Sequence, residues 1–217
     1  MSSEDRAASP RSPRREFTLT DPKAMRALAH PVRMALLELF NMSPTLTATQ
    51  ASEALGESPA NCAFHLRTLA KYGLIEEAGG GRGRERPWRR VHIALSFSSE
   101  RQRDSQARMA AEALGSAWRD RWLDRIRRTF DARAWDDTWA SAVCASNSVR
   151  FLTADEADAV AEELLAIVDR YRDRTYDPAL RPEGALPVGF NIFSYPITDQ
   201  GAVPPGADEP QGPRPEE

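Results

Sequence analysis

The chain has little cysteine, almost no lysine and no long apolar run. Its two cysteines, Cys62 and Cys144, make neither a metal-ligand spacing nor a disulfide framework, which fits a reducing cytoplasm. No apolar stretch approaches the ~20 residues that a membrane helix needs, so no membrane partner is expected. The opening MSSEDRAASPRSPRREF has no apolar segment after its charges and does not read as a secretory signal. Nucleophile elbow, phosphate loop and zinc motif are all missing. The acidic pairs Asp136-Asp137 and Glu162-Glu163 stand side by side, and adjacent helical residues do not face one site. These gaps argue against an enzyme and against a resident metal or other cofactor. Two lysines stand against 27 arginines, a skew that fits a GC-rich genome better than a mechanism.

What is present is a chain of 217 residues, 41% hydrophobic, enough for one large domain or two small ones. The net charge is −3, but it is unevenly spread. Residues 1–98 carry 14 basic and 10 acidic groups, whereas residues 99–217 carry 15 and 22. A basic first half and an acidic second half suit a protein that meets a polyanion with one end only.

The pattern along the chain is mainly helical. Residues 1–16 are rich in Ser, Pro and Arg and read as a disordered arm. Residues 199–217 hold five prolines and read as an acidic, proline-rich disordered tail. Between them, Thr20 or Asp21 followed by Pro22 starts one helix and His30-Pro31 interrupts it before a second. Thr47-Ala48-Thr49-Gln50 is a capping box for a third. Ser58-Pro59 starts a fourth, which Gly73 ends. Leu74–Glu77 and Trp88–Leu95 read as two strands joined by a glycine- and arginine-rich tip. Beyond them, the spacing predicts a long helix from Ser99 to Phe130, a shorter one from Ala132 to Val143, and another from Thr153 to Arg174. Short strands are expected at Val149–Leu152 and Pro187–Tyr195.

The stretch SPANCAFHLRTLAKYGLI, from Ser58 to Ile75, carries the most information. At 100° per residue, Cys62, Leu66 and Leu69 fall in one narrow sector and must face a core. Phe64, Arg67, Thr68 and Lys71 fall opposite, with Asn61 at the edge and His65 between the faces. An amide, a hydroxyl, two cations and a phenyl ring can pair with base edges, meet a thymine methyl and hold phosphates. A plainer reading leaves a solvated face with Phe64 tucked under the hairpin. The neighbours favour the first. A short helix, a tight turn and a second helix is the helix-turn-helix arrangement, whose second helix enters the major groove. The tip adds Arg82, Arg84, Arg86, Arg89 and Arg90 against Glu85 alone, cations that suit phosphates or a minor groove.

ALAHPVRMALLELF, then TATQASEALGESPANCAFHLRTLAKYGLIEE, then GRGRERPWR resemble the winged helix-turn-helix of ArsR-like bacterial transcription regulators over residues 17–97. The resemblance implies a cytoplasmic homodimer that binds a two-fold double-stranded DNA operator, with residues 59–72 as recognition helix and about 79–88 as wing. It places Ser58, Asn61, Phe64, His65 and Thr68 near bases or backbone. Arg67 and Lys71 would meet phosphate or solvent, and Arg82, Arg84 and Arg86 backbone or minor groove. The cysteine pair of metal-sensing members is absent from TATQASEAL, so metal sensing is not implied.

The expected fold is therefore mainly α with a small β-hairpin wing: the DNA-binding domain at 17–97, then a helical domain at 98–198 for dimerisation and for sensing a small molecule. Trp118 and Trp122, and Trp135 and Trp139, are each spaced by one helical turn and suit dimer packing or an effector pocket. A winged helix used for protein contacts, without DNA, is the alternative reading.

Overall fold

The computed structural model describes residues 14–81, 86–97, 102, 104–133 and 135–197. The arm before residue 14, the tail from residue 198, and Arg82 and Arg84 at the wing tip lie outside the described residues. The chain divides into two compact units, Met1–Asn147 with Asp169–Val188, and Ser148–Val168 with Gly189–Glu217.

In the first unit, helices α1 (Pro22–Leu28), α2 (Pro31–Leu39), α3 (Ala48–Leu55) and α4 (Pro59–Lys71) follow one another as their caps require. The Asp21 carboxylate accepts from the Lys23 amide at 2.9 Å and so closes the start of α1. His30 does the same for α2, its Nδ1 accepting from the Val32 amide at 3.2 Å, with Pro31 in the first turn. Thr47 and Gln50 cap each other reciprocally ahead of α3. The end of α4 is closed by Gly73 at φ +70°, with the Leu74 amide donating to the Leu69 carbonyl and the Gly73 amide to that of Ala70.

Two two-stranded sheets follow. β2 (Ile75–Glu77) pairs antiparallel with β3 (Trp88–Arg90), and Leu46 bridges Trp88 from the far side. The single strand expected over Trp88–Leu95 is broken at Val91: its second part is β4 (His92–Ser96), which turns to another partner. That partner is β1 (Arg14–Thr18), in parallel, with Phe17 stacked on His92 at 4.4 Å. Residues 14–16, read from the sequence as the end of a disordered arm, thus belong to a strand. A run such as RREFT has too few apolar residues to announce itself, and its partner lies far along the chain.

Met25, Leu28, Leu36, Phe40, Leu66, Leu69 and Ile75 form the centre of the core. α5 (Ser105–Ala132) starts later and ends later than the helix expected from Ser99 to Phe130. Ala110, Ala111, Leu114 and Trp118 on one of its sides join the same core. α5 thus packs on the core of the first unit. Glu38 on α2 fastens it there, accepting from Arg121 at 2.7 Å and also from Arg125.

Beyond α5 the regular structure thins out. Of the helix expected at Ala132–Val143 only α6 (Asp137–Ala140) forms. The helix expected to Arg174 stops earlier, as α7 (Ala154–Asp169), followed by the short α8 (Asp173–Tyr176). Val149–Leu152 and Pro187–Tyr195 have no ladder partner and are not strands. Alternation gives a segment a face, but a strand also needs a neighbour to satisfy its backbone. In the second unit α7 is the described helix, its first turn closed by Thr153 and Glu156.

Candidate nucleic-acid interface

The turn between α3 and α4 is Gly56, Glu57 and Ser58. Gly56 adopts φ +69°, a conformation that costs an ordinary residue about 1 kcal/mol or more. The Ser52 hydroxyl donates to the Glu57 carbonyl at 2.6 Å and pins the turn from the α3 side. From the α4 side, Ser58 Oγ accepts from the Asn61 amide at 3.2 Å. The start of α4 is thus held at both ends of a three-residue turn.

The inward side of α4 is Cys62, Leu66 and Leu69, all essentially inaccessible, as the helical wheel requires. The outward side presents Phe64, 57% exposed, with Arg67 and Lys71 exposed and Thr68 half-buried. Asn61 sits at the edge, its Nδ2 donating to Glu57 Oε2 at 2.8 Å, so its carbonyl oxygen is the end left to accept. The Thr68 hydroxyl donates back to the Phe64 carbonyl at 2.9 Å.

His65 does not share this surface. It is only 4% exposed, its ring 4.6 Å from that of His30, and its Nδ1 lies 3.1 Å from Nη1 of Arg33. Arg33 in turn donates through Nε to the Ala27 carbonyl. The structure places the His65 ring inside, as a core wedge between α2 and α4. HPVR now has a physical meaning, because His30 caps α2, Pro31 sets its first turn and Arg33 ties it to α4. An arginine donor requires Nδ1 of His65 to be an acceptor, as does the Val32 amide at His30, so both rings are held neutral. Burial lowers the pKa of each, with Arg33 beside both rings adding to it and Glu57 opposing. Burial also pushes the Cys62 thiol up, which suits a core residue.

The wing is less bare of acid than its arginines suggested. Glu77 accepts from Arg86 at 2.8 Å and Glu76 from Arg89 at 2.8 Å, while Arg90 donates to Asn41 at 2.7 Å. Cross-strand register sets Glu76 opposite Arg89, and the sequence signal for this was the Glu76-Glu77 pair opening the hairpin. Arg86 and Glu77 are 68% and 50% exposed, so that ion pair is weak and the cation stays available.

The tryptophans do not line one site. Trp118 is buried in the core with Trp122 5.6 Å away, whereas Trp135 meets Phe130 edge-on at 5.6 Å. Trp135 precedes α6 and Trp139 lies on it, so the two do not share a helical face. Among the described residues no group of three or more His, Cys, Asp or Glu is placed to hold a metal ion. No described helix is long and apolar enough to cross a membrane.

Residues 28–78 match the family model of a helix-turn-helix domain, a span that includes α2, α3, α4 and β2. With the hairpin that follows, the first unit is a winged helix-turn-helix. No match was found among curated proteins. Among solved structures, a transcriptional regulator homologue from Pyrococcus horikoshii OT3 is similar at 18% identity, covering 48% of this chain and 93% of that one, with a TM-score of 0.29. A double mutant of ZitR from Lactococcus lactis in apo form is similar at 15% identity over 66% and 83% of the two chains, TM-score 0.29. The adhesin competence repressor AdcR from Streptococcus pyogenes follows at 14% identity over 65% and 81%, TM-score 0.29. Likeness at that level defines neither activity nor partners.

Proposed function

We propose that the chain is a non-enzymatic, sequence-specific regulator of transcription, an ArsR-like bacterial repressor acting in the cytoplasm. It binds a double-stranded DNA operator as a homodimer, two recognition helices meeting two half-sites. The observation that carries this reading is the outward face of α4, where a phenyl ring more than half exposed stands beside two cations on a helix capped at both ends. A monomer core has no use for that ring in water, whereas a thymine methyl covers it.

In this reading Phe64, Thr68 and the Asn61 carbonyl meet base edges. Ser58, Arg67 and Lys71 meet phosphates, and Arg82, Arg84 and Arg86 follow the backbone or minor groove beside the helix. Trp118 and Trp122 serve packing. Control by a small molecule would reach the far end of α5, where Trp135, Phe130 and Trp139 lie.

Anisotropy of labelled double-stranded DNA against the full chain, across a salt series, tests the proposal. Affinity should fall steeply with salt, about one logarithmic unit per unit of log salt for each phosphate neutralised. Absence of any DNA affinity at low salt would reject it in favour of a winged helix used for protein contacts.

A further inference from the structure

The side-chain amide of Asn61 is held by a carboxylate. Its Nδ2 donates to Glu57 Oε2 at 2.8 Å, and both side chains are half-buried. A carboxylate oxygen only accepts, so the nitrogen end of the amide faces Glu57 and the carbonyl end, Oδ1, points away. The backbone on both sides of this bond is fixed. The Asn61 amide N–H donates to Ser58 Oγ at 3.2 Å, and the Glu57 carbonyl accepts from the Ser52 hydroxyl at 2.6 Å. Burial lowers the pKa of His30 and His65 and Glu57 acts against it, so the carboxylate also stands near the buried rings.

This is not the ordinary use of that helix position. Three residues after a cap, a side chain commonly reaches back and accepts from the amide of the cap, as Gln50 does from Thr47 at 2.9 Å. Asn61 holds the same place after Ser58, yet it donates, and to the residue before the cap. Among the described residues its side chain bonds through nitrogen alone. The acceptor end is left over, on the first turn of α4.

The first turn of a recognition helix meets base edges. A free asparagine amide can turn over and offer either its acceptor or its donors. In the major groove the amino groups of adenine and cytosine donate, whereas guanine O6 and N7 and thymine O4 accept. An amide locked with Oδ1 outward suits the amino groups and not those acceptors.

We propose that Glu57 is a positioning residue for base recognition: by holding the nitrogen of Asn61 it presents Oδ1 to the amino group of an adenine or cytosine in the operator. The inference rests on the DNA-binding reading above, and adds to it the base class and the residue that enforces it.

Sites selected from random double-stranded DNA by the full-length wild type, Asn61→Ala and Glu57→Ala test it, with folding checked by circular dichroism. Asn61→Ala should lose the preference at one position of each half-site, and Glu57→Ala should weaken it at that same position alone. In the wild-type site that adenine or cytosine is then replaced by purine or pyrimidin-2-one, each lacking only the exocyclic amino group. By anisotropy the wild type should lose at least about fivefold in affinity, with Asn61→Ala indifferent to the change. Glu57→Ala should bind unrelated DNA no less tightly than the wild type, since one anion near the phosphates is gone. In the free protein, the Asn61 side-chain amide signal in NMR should shift in Glu57→Ala. An unshifted signal, an unchanged preference in Glu57→Ala, or a wild type indifferent to the missing amino group would each overturn the proposal and leave the DNA reading standing. A wild type that binds no DNA would reject both.

Discussion

Phe64→Ala separates recognition from stability more sharply than any other single change in the first unit. Its ring is 57% exposed and makes one edge contact, 5.2 Å from the ring of His65. An aromatic pair of that kind contributes about 0.5–1.5 kcal/mol, so truncation should cost about 1 kcal/mol of folding stability at most. Two residues on, Leu66 is completely buried, and Leu66→Ala should cost about 2–5 kcal/mol. On DNA the order reverses. If the ring reads one base pair, losing that reading costs about 1–3 kcal/mol, or roughly 5- to 150-fold in Kd. Urea unfolding and anisotropy on one selected site measure the two quantities in the same preparations. Should Phe64→Ala unfold like Leu66→Ala, or bind DNA as the wild type does, the assignment of the outward face would be refuted.

Three further outcomes follow from the geometry. His30 and His65 are held neutral with lowered pKa values, while the unfolded chain takes up protons near 6.5, so the unfolded state binds more protons on the acid side. Their contribution to stability is complete above that pH and is lost as the pH falls below it; equal urea midpoints at pH 7.5 and 5.5 would contradict this, and His65→Phe should flatten the dependence. Glu38→Gln removes the negative charge and one of the two oxygens that accept from Arg121 and Arg125, partners 27% and 43% exposed, and after solvent screening should cost about 1–2 kcal/mol by thermal unfolding. Arg86→Ala should leave the unfolding midpoint nearly unchanged, because its pair with Glu77 is exposed, but should lower the salt slope of DNA binding by about one unit.

The local chemistry of the first unit was readable from sequence wherever a residue acts on its own neighbours. Asp21, Thr47 and Ser58 cap, Gly73 terminates, and Cys62, Leu66 and Leu69 face inward, because caps and helical periodicity are written within a few residues. What was not readable depends on distant partners. His65 looked intermediate on its wheel, and only Arg33 and His30, brought in from the α2 start, decide that it goes inside. Residues 14–18 become a strand only because β4 leaves the hairpin line at Val91. Val149–Leu152 and Pro187–Tyr195 show the reverse error, since alternation was present and a pairing strand was not. Of the proposed interface, the face of α4 was legible, but the acidic partners Glu76 and Glu77 of the wing emerged only with the register.

Selection of random double-stranded DNA by the purified full-length chain tests the central claim most directly. The account predicts enrichment of a site with two-fold symmetry, its half-sites about one helical turn apart, bound less tightly as salt rises. A folded, dimeric chain that enriches no sequence, or one whose enriched site is bound equally by the Phe64→Ala variant, would contradict it.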